Sequence, residues 1–190
     1  QFPWQSAPRT GEESTPTDWP KIVHEQHVTL DVATAFAQYA HVSGDEDFFR
    51  TRAWPILRGV ADWICSRGVW TDRGYEIHDT MGICEDRKHD NDAFVNMAAC
   101  CVLDEALRAA ERLELAAPSD WRRVRQRMVL PRNGALIQRH DNDDEQAQND
   151  CCSETLAAFH PYTFGVDDAT YRFCVAHYLK RAAPAAGMPM

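Results

Sequence analysis

Apolar positions recur every three or four residues through most of the chain, the spacing of an amphipathic helix. Between His27 and His41 the residues Val28, Val32, Phe36 and Tyr39 fall on one face, and Gly44 then stops the pattern, so a helix is predicted there. From Asp47 to Ser66 the face continues through Phe49, Ala53, Ile56, Leu57, Val60 and Ile64. Pro55 lacks a backbone N–H, which predicts a kink or a new helix start inside that stretch. Phe94, Ala98, Cys101, Ala106, Ala109 and Leu113 predict a long amphipathic helix with Asp90 or Asn91 at its N-cap. A last helix carries Tyr171, Cys174, Val175 and Tyr178, with Asp167 or Asp168 as its cap. Strand-like sequence is limited to short pieces such as residues 135–138, so the predicted class is mainly α.

Two regions leave this pattern. Residues 1–24 hold Pro3, Pro8, Pro16 and Pro20 with Gly11, a composition for an extended, turn-rich segment, and the polar run 141–150 (DNDDEQAQND) predicts a loop. A third polar stretch, YEIHDTMGICEDRKHDNDAFVN from Tyr75 to Asn96, links two predicted helices. In helical proteins such connections carry the site while the helices hold it still.

Composition narrows the function. A chain of 190 residues, 44% hydrophobic and 26% charged, is the size of one domain with a core of its own. Lys and Arg are outnumbered 20 to 29, giving a net charge of −9, and they form no stripe for a phosphate backbone; a nucleic-acid partner is not expected. Trp121-Arg122-Arg123 reads as a solvated helix face. The seven cysteines are odd in number and show no Cys-x-x-Cys pair, so free thiols are expected, with Cys100–Cys101 and Cys151–Cys152 as small apolar fillers. No apolar run has the length of a membrane span. Neither a metal nor an organic cofactor is expected, and a cytoplasmic setting is the expectation for location.

Carbohydrate is the ligand class that the polar connection suits. Carboxylates and amides exchange hydrogen bonds with sugar hydroxyls, and indole or phenol rings cover the apolar faces of a pyranose. Six tryptophans are available: Trp4, Trp19, Trp54, Trp63, Trp70 and Trp121, of which Trp54 and Trp63, at helical spacing, read as core. Cleaving a glycosidic bond needs a carboxylic acid to protonate the leaving oxygen, and Glu85, preceded by Gly82 and Cys84, is the candidate. On composition alone Glu85 reads as a solvated loop residue and His27 as a packing or capping group.

Four segments together resemble the catalytic domain of glycoside hydrolase family 65, which holds phosphorylases, trehalases and other hydrolases of α-glucosides. They are FPWQSAPRTGEESTP at the start, HEQHVTLDVATAFAQYAHVSGDEDF, MGICEDRKHDNDAFVN, and AHYLKRAAPAAGMPM at the end. The resemblance implies a partial (α/α)6 barrel over residues 1–190, truncated at both ends, and an inverting reaction with Glu85 as general acid. It implies that Trp4 and Gln5 line the glucose subsite beside His27, Thr29 and Asp31, and that Asn91 and Asn96 shape the helix start. The general base of a hydrolase, or the phosphate site of a phosphorylase, falls beyond Met190. Two positions differ from the family: Ile83-Cys84 stands where Pro-Asp is usual, and no Lys occurs from Glu145 to Phe159. The first reading is an inverting α-glucoside hydrolase, the second an inverting disaccharide phosphorylase with inorganic phosphate as co-substrate. A third class is a truncated, non-catalytic helical domain that binds a sugar or a partner. A homo-oligomer is expected because an unfinished barrel exposes apolar helix flanks.

Overall fold

The computed structural model describes residues 1–14, 24–83, 88–144 and 154–181. The mainly α class holds: α1 (His27–Ser43), α2 (Glu46–Phe48), α3 (Trp54–Arg67), α4 (Ala93–Arg112), α5 (Ser119–Arg127), α6 (Glu154–Ala157) and α7 (Asp168–Arg181). Two antiparallel ribbons interrupt them, β1 (Val69–Trp70) with β2 (Tyr75–Glu76), and β3 (Arg132–Asn133) with β4 (Leu136–Ile137). Only β4 falls on the predicted strand piece. Each strand has two residues, too few to leave an alternating pattern in sequence.

α1 ends where expected: Gly44 adopts φ 64°, and its N–H donates to Ala40 O at 3.2 Å. Its buried face differs from the expectation. Leu30, Ala33, Ala37 and Ala40 line the core, whereas Val28, Val32 and Phe36 are half-buried and Tyr39 is exposed. Small alanines let neighbouring helices come close, and the bulky residues move to the rim, where Phe36 stacks on Phe48 and Tyr39 meets it edge-on. Pro55 stands in the first turn of α3, the new helix start that is one of the two expectations, at a position whose N–H has no partner within the helix. A widened π-turn at Phe49–Ala53 joins α2 to α3.

The first two turns of α4, Ala93 to Cys100, are buried all round rather than amphipathic. Side chains such as Phe94, Val95 and Met97 each contribute about 1.5–3 kcal/mol by leaving water. Its cap is Asp92, whose Oδ1 accepts from Val95 N at 2.9 Å, and not Asp90 or Asn91, which are committed to the preceding loop. At α7 the cap is Asp167, accepting from Thr170 N at 2.9 Å; Cys174 and Tyr178 are buried, while Tyr171 is exposed. Trp54 and Trp63 pack half-buried against the core. Among the described residues the fully buried indole is Trp121, which donates from Nε1 to Asp62 at 2.9 Å, and only Arg122 and Arg123 of that trio face solvent. The described cysteines are free, with Cys100 filling the core and burial raising its thiol to about 12.

α1 and α4 run side by side in the same direction. His27 at the start of α1 packs on Phe94 at the start of α4, and His41 near the end of α1 meets Glu105 at 3.1 Å. The first-turn ends of these two helices therefore share one end of the domain. The described helices do not close a ring.

Candidate functional site

The polar connection between β2 and α4 folds back on itself. Asn91 N donates to Ile77 O at 2.8 Å, Asp79 N to Asp90 Oδ1 at 3.0 Å, and Thr80 and His89 exchange backbone hydrogen bonds at 2.9 and 2.7 Å. Two arms, 77–81 and 88–91, are thus zipped together. Glu85 belongs to residues 84–87, outside the described residues.

The first arm also lies along the segment that enters α1. Met81 N donates to His24 O at 2.9 Å, Glu25 and Met81 form a parallel bridge, and the His24 Nδ1–H donates to Asp79 O at 2.8 Å. Glu25, Gln26 and His27 are consequently buried. Behind the loop, an added Cβ on Gly82 would sit 2.6 Å from Glu154 Oε2 and 2.9 Å from Asp92 Oδ2. Both carboxylates are buried, so no side chain fits at 82 without displacing a desolvated acid. Gly82→Ala is expected to destabilise the fold by about 1–3 kcal/mol, read as a lower urea midpoint at unchanged slope.

Four of the five residues implied as glucose contacts gather at the start of α1. The Trp4 ring lies 5.9 Å from that of His27; His27 packs on Phe94 at 6.4 Å, and Phe94 meets Tyr162 at right angles. The Tyr162 hydroxyl donates to Asp31, and burial raises the Tyr162 phenol far above its ordinary range. Thr29 is buried and its Oγ1 accepts from Phe2 N at 3.0 Å, which ties the N-terminal segment onto α1. Trp4 and Gln5 follow directly on that tether, with part of the Trp4 indole open to solvent. The Gln5 side chain is exposed and is brought to the group only through its backbone.

A charged network anchors the loop from the other side. Glu76 is buried; its carboxylate accepts from Thr71 Oγ1, from His78 Nε2 at 3.0 Å and from Asn91 Nδ2 at 3.0 Å, with Arg73 at 3.8 Å. The Thr71 hydrogen bond leads the causes that hold its pKa down at about 2. Asn91 Nδ2 also donates to Asp141 at 2.8 Å, and Arg73 grips Asp141 through two bonds of 2.9 and 2.8 Å that lower its pKa. Asn91 Oδ1 accepts from Ile77 N at 3.2 Å, while Asn96, one turn into α4, donates to Val129 O at 2.8 Å. Beside this network the rings of His89 and His140 stack at 3.5 Å, and burial lowers the His140 pKa.

Sequence reading missed Tyr162, Glu154, Glu76 and Asp141; Tyr162 meets Asp31, and Asp141 meets Arg73 and Asn91, across long stretches of chain. Asn91 was matched to a motif, but its role goes well past shaping the helix start. Among the described residues no three His, Cys, Asp or Glu side chains are placed to hold a metal ion, and no helix is long and apolar enough to cross a membrane.

Comparison with known proteins gives the family. A model of the glycosyl hydrolase family 65 central catalytic domain matches residues 1–159. Kojibiose hydrolase of Flavobacterium johnsoniae is 34% identical over 148 residues, 76% of this chain and 22% of that protein. The Gallus gallus protein-glucosylgalactosylhydroxylysine glucosidase is 34% identical over 135 residues, 69% of this chain and 19% of that one. Kojibiose phosphorylase of Escherichia coli is 34% identical over 124 residues, 58% of this chain and 16% of its own length. This chain therefore spans about a fifth of the length of the curated relatives it matches. A solved chain from the human microbiome, assigned as a kojibiose phosphorylase, superposes with a TM-score of 0.60 at 14% identity, covering 85% of this chain and 25% of that one. That likeness speaks for the fold.

Proposed function

Since the chain belongs to the glycosyl hydrolase family 65 catalytic domain, we propose that it supplies the acid-bearing part of an active site that cleaves α-linked glucosides with inversion. In this reading Glu85 protonates the glycosidic oxygen as the bond breaks, and water attacks the anomeric carbon from the opposite face, held by a second group. Trp4 covers an apolar face of the glucose. Gln5 and Asp31 offer hydrogen bonds to its hydroxyls, and His27 and Thr29 set the floor of the subsite. The same-direction packing of α1 and α4 supports assigning the helices to part of an (α/α)6 barrel.

The observation that carries the proposal is the pairing of the loop arms with each other and with residues 24–25. It holds the two arms, between which Glu85 falls in sequence, against the segment that enters α1 beside Trp4 and His27. Hydrolysis is preferred to phosphorolysis because, at the same 34% identity, the kojibiose hydrolase and the protein-glucosylgalactosylhydroxylysine glucosidase align with more of this chain than the E. coli phosphorylase does.

The test is to give the full-length protein that carries this chain kojibiose, trehalose, maltose and a glucosyl-galactoside, with and without phosphate, and to follow early products by proton NMR. β-Glucose formed without phosphate is the expected result. β-Glucose 1-phosphate formed only with phosphate would replace water by phosphate in the mechanism, and no product from any substrate would overturn the proposal.

A further inference from the structure

The N-terminal segment contains a carboxylate that the proposed reaction leaves unused. Residues 5–14 form a small hairpin closed by its own backbone: Ser14 N donates to Gln5 O and Ala7 N to Glu12 O, each at 2.9 Å, and Ser6 pairs with Glu13. The Glu13 side chain is not needed for that closure. It turns back across the hairpin, so that Oε2 accepts from Trp4 N at 2.8 Å and Oε1 from Gln5 N at 3.2 Å.

Successive N–H groups of an extended strand point to opposite sides, so one group can receive both only where the chain bends, as it does at Trp4–Gln5. Two donors need two acceptors on one rigid planar group, and a carboxylate provides them with the added strength of a charged acceptor. Together with the Phe2–Thr29 tether, this fixes the backbone on both sides of the Trp4 side chain.

We propose that Glu13 is a positioning residue for sugar binding: its carboxylate sets the bend that presents Trp4 and Gln5 to a glucosyl ring. The proposal rests on the reading that Trp4 lines the glucose subsite. Glu13 itself acts through backbone and touches no reacting atom, so its loss falls on binding rather than on the chemical step. A glutamine at this place has one acceptor oxygen and an amide that opposes a backbone N–H, whereas aspartate keeps both acceptors one methylene short.

The test compares Glu13→Gln, Glu13→Asp and Trp4→Ala in the full-length protein on the disaccharide it cleaves fastest, with hydrogen exchange at the Trp4 and Gln5 amides as a second readout. Glu13→Gln is expected to raise KM about tenfold with kcat within about twofold, to speed exchange at both amides and to leave the melting temperature unchanged. Glu13→Asp is expected to recover most of the affinity. An unchanged KM in Glu13→Gln, while Trp4→Ala raises it, would overturn the positioning role alone. An unchanged KM in both would remove the reading beneath it as well. A lower melting temperature with KM unmoved would make Glu13 a hairpin residue only.

Discussion

Replacing Glu85 by glutamine in the full-length protein is expected to lower kcat on an α-linked disaccharide by about 10²–10⁴-fold while KM changes by less than about threefold. The amide keeps the size and most of the hydrogen-bonding shape of the acid but holds no transferable proton. A sugar alkoxide is a poor leaving group, so its departure depends on protonation in the transition state. The ground-state contacts proposed for Trp4, Gln5 and Asp31 would remain. Steady-state kinetics with kojibiose, trehalose and maltose checks this, and a parallel loss in kcat and in binding would mark Glu85 as a binding residue instead.

Asn91→Ala is expected to have the largest effect on stability, about 3–5 kcal/mol, measured by urea unfolding. Asn91 is fully buried, and its side chain joins Glu76, Asp141 and the Ile77 amide in one knot. Truncation leaves the buried Glu76 carboxylate and the half-buried Asp141 each short of a donor. The residue also sits at φ 52°, a left-handed conformation that asparagine tolerates and alanine resists. Asn91→Gly separates the two causes, since glycine accepts that backbone and loses only the side-chain bonds. Asn91→Asp keeps the shape but sets a third negative charge beside Glu76 and Asp141, so it is expected to be no better than alanine. The pH dependence follows. Glu76 has a folded pKa of about 2 against an ordinary value of 4.5. Its contribution to stability is therefore complete above the ordinary value and is lost as pH falls through the folded one. Removing the Asn91 donor raises the folded pKa, so the variant is expected to lose stability at a higher pH than the parent. Acid unfolding curves of the two proteins that coincide after normalisation would contradict this.

How much of this could be read in advance depended on distance along the chain. Helices announced themselves because a buried stripe repeats locally, and Gly44 and Asp167 are local stop and start signals. The buried face of α1 was misread because size was taken for burial. Ala33, Ala37 and Ala40 are inside because they are small enough for α4 to approach. The cap of α4 was missed by one or two positions because Asp90, Asn91 and Asp92 stand in a row, and only the loop pairing decides which is free to cap. In the site, Trp4 and His27 were grouped on the strength of the resemblance, and the structure brings their rings together. The fixing of the loop was not legible. It depends on Asn91 reaching Asp141 and on Gly82 lying against Glu154, contacts that no spacing rule connects.

The most direct test of the central claim uses the leaving group. Fluoride departs without a proton, whereas the sugar oxygen of a disaccharide needs one, so a general acid matters for the second and little for the first. With α-glucosyl fluoride and the disaccharide compared on the same preparations, Glu85→Gln is predicted to keep most of its turnover of the fluoride and to lose that of the disaccharide. An equal loss on both substrates would contradict the assignment of Glu85 as the acid of this site.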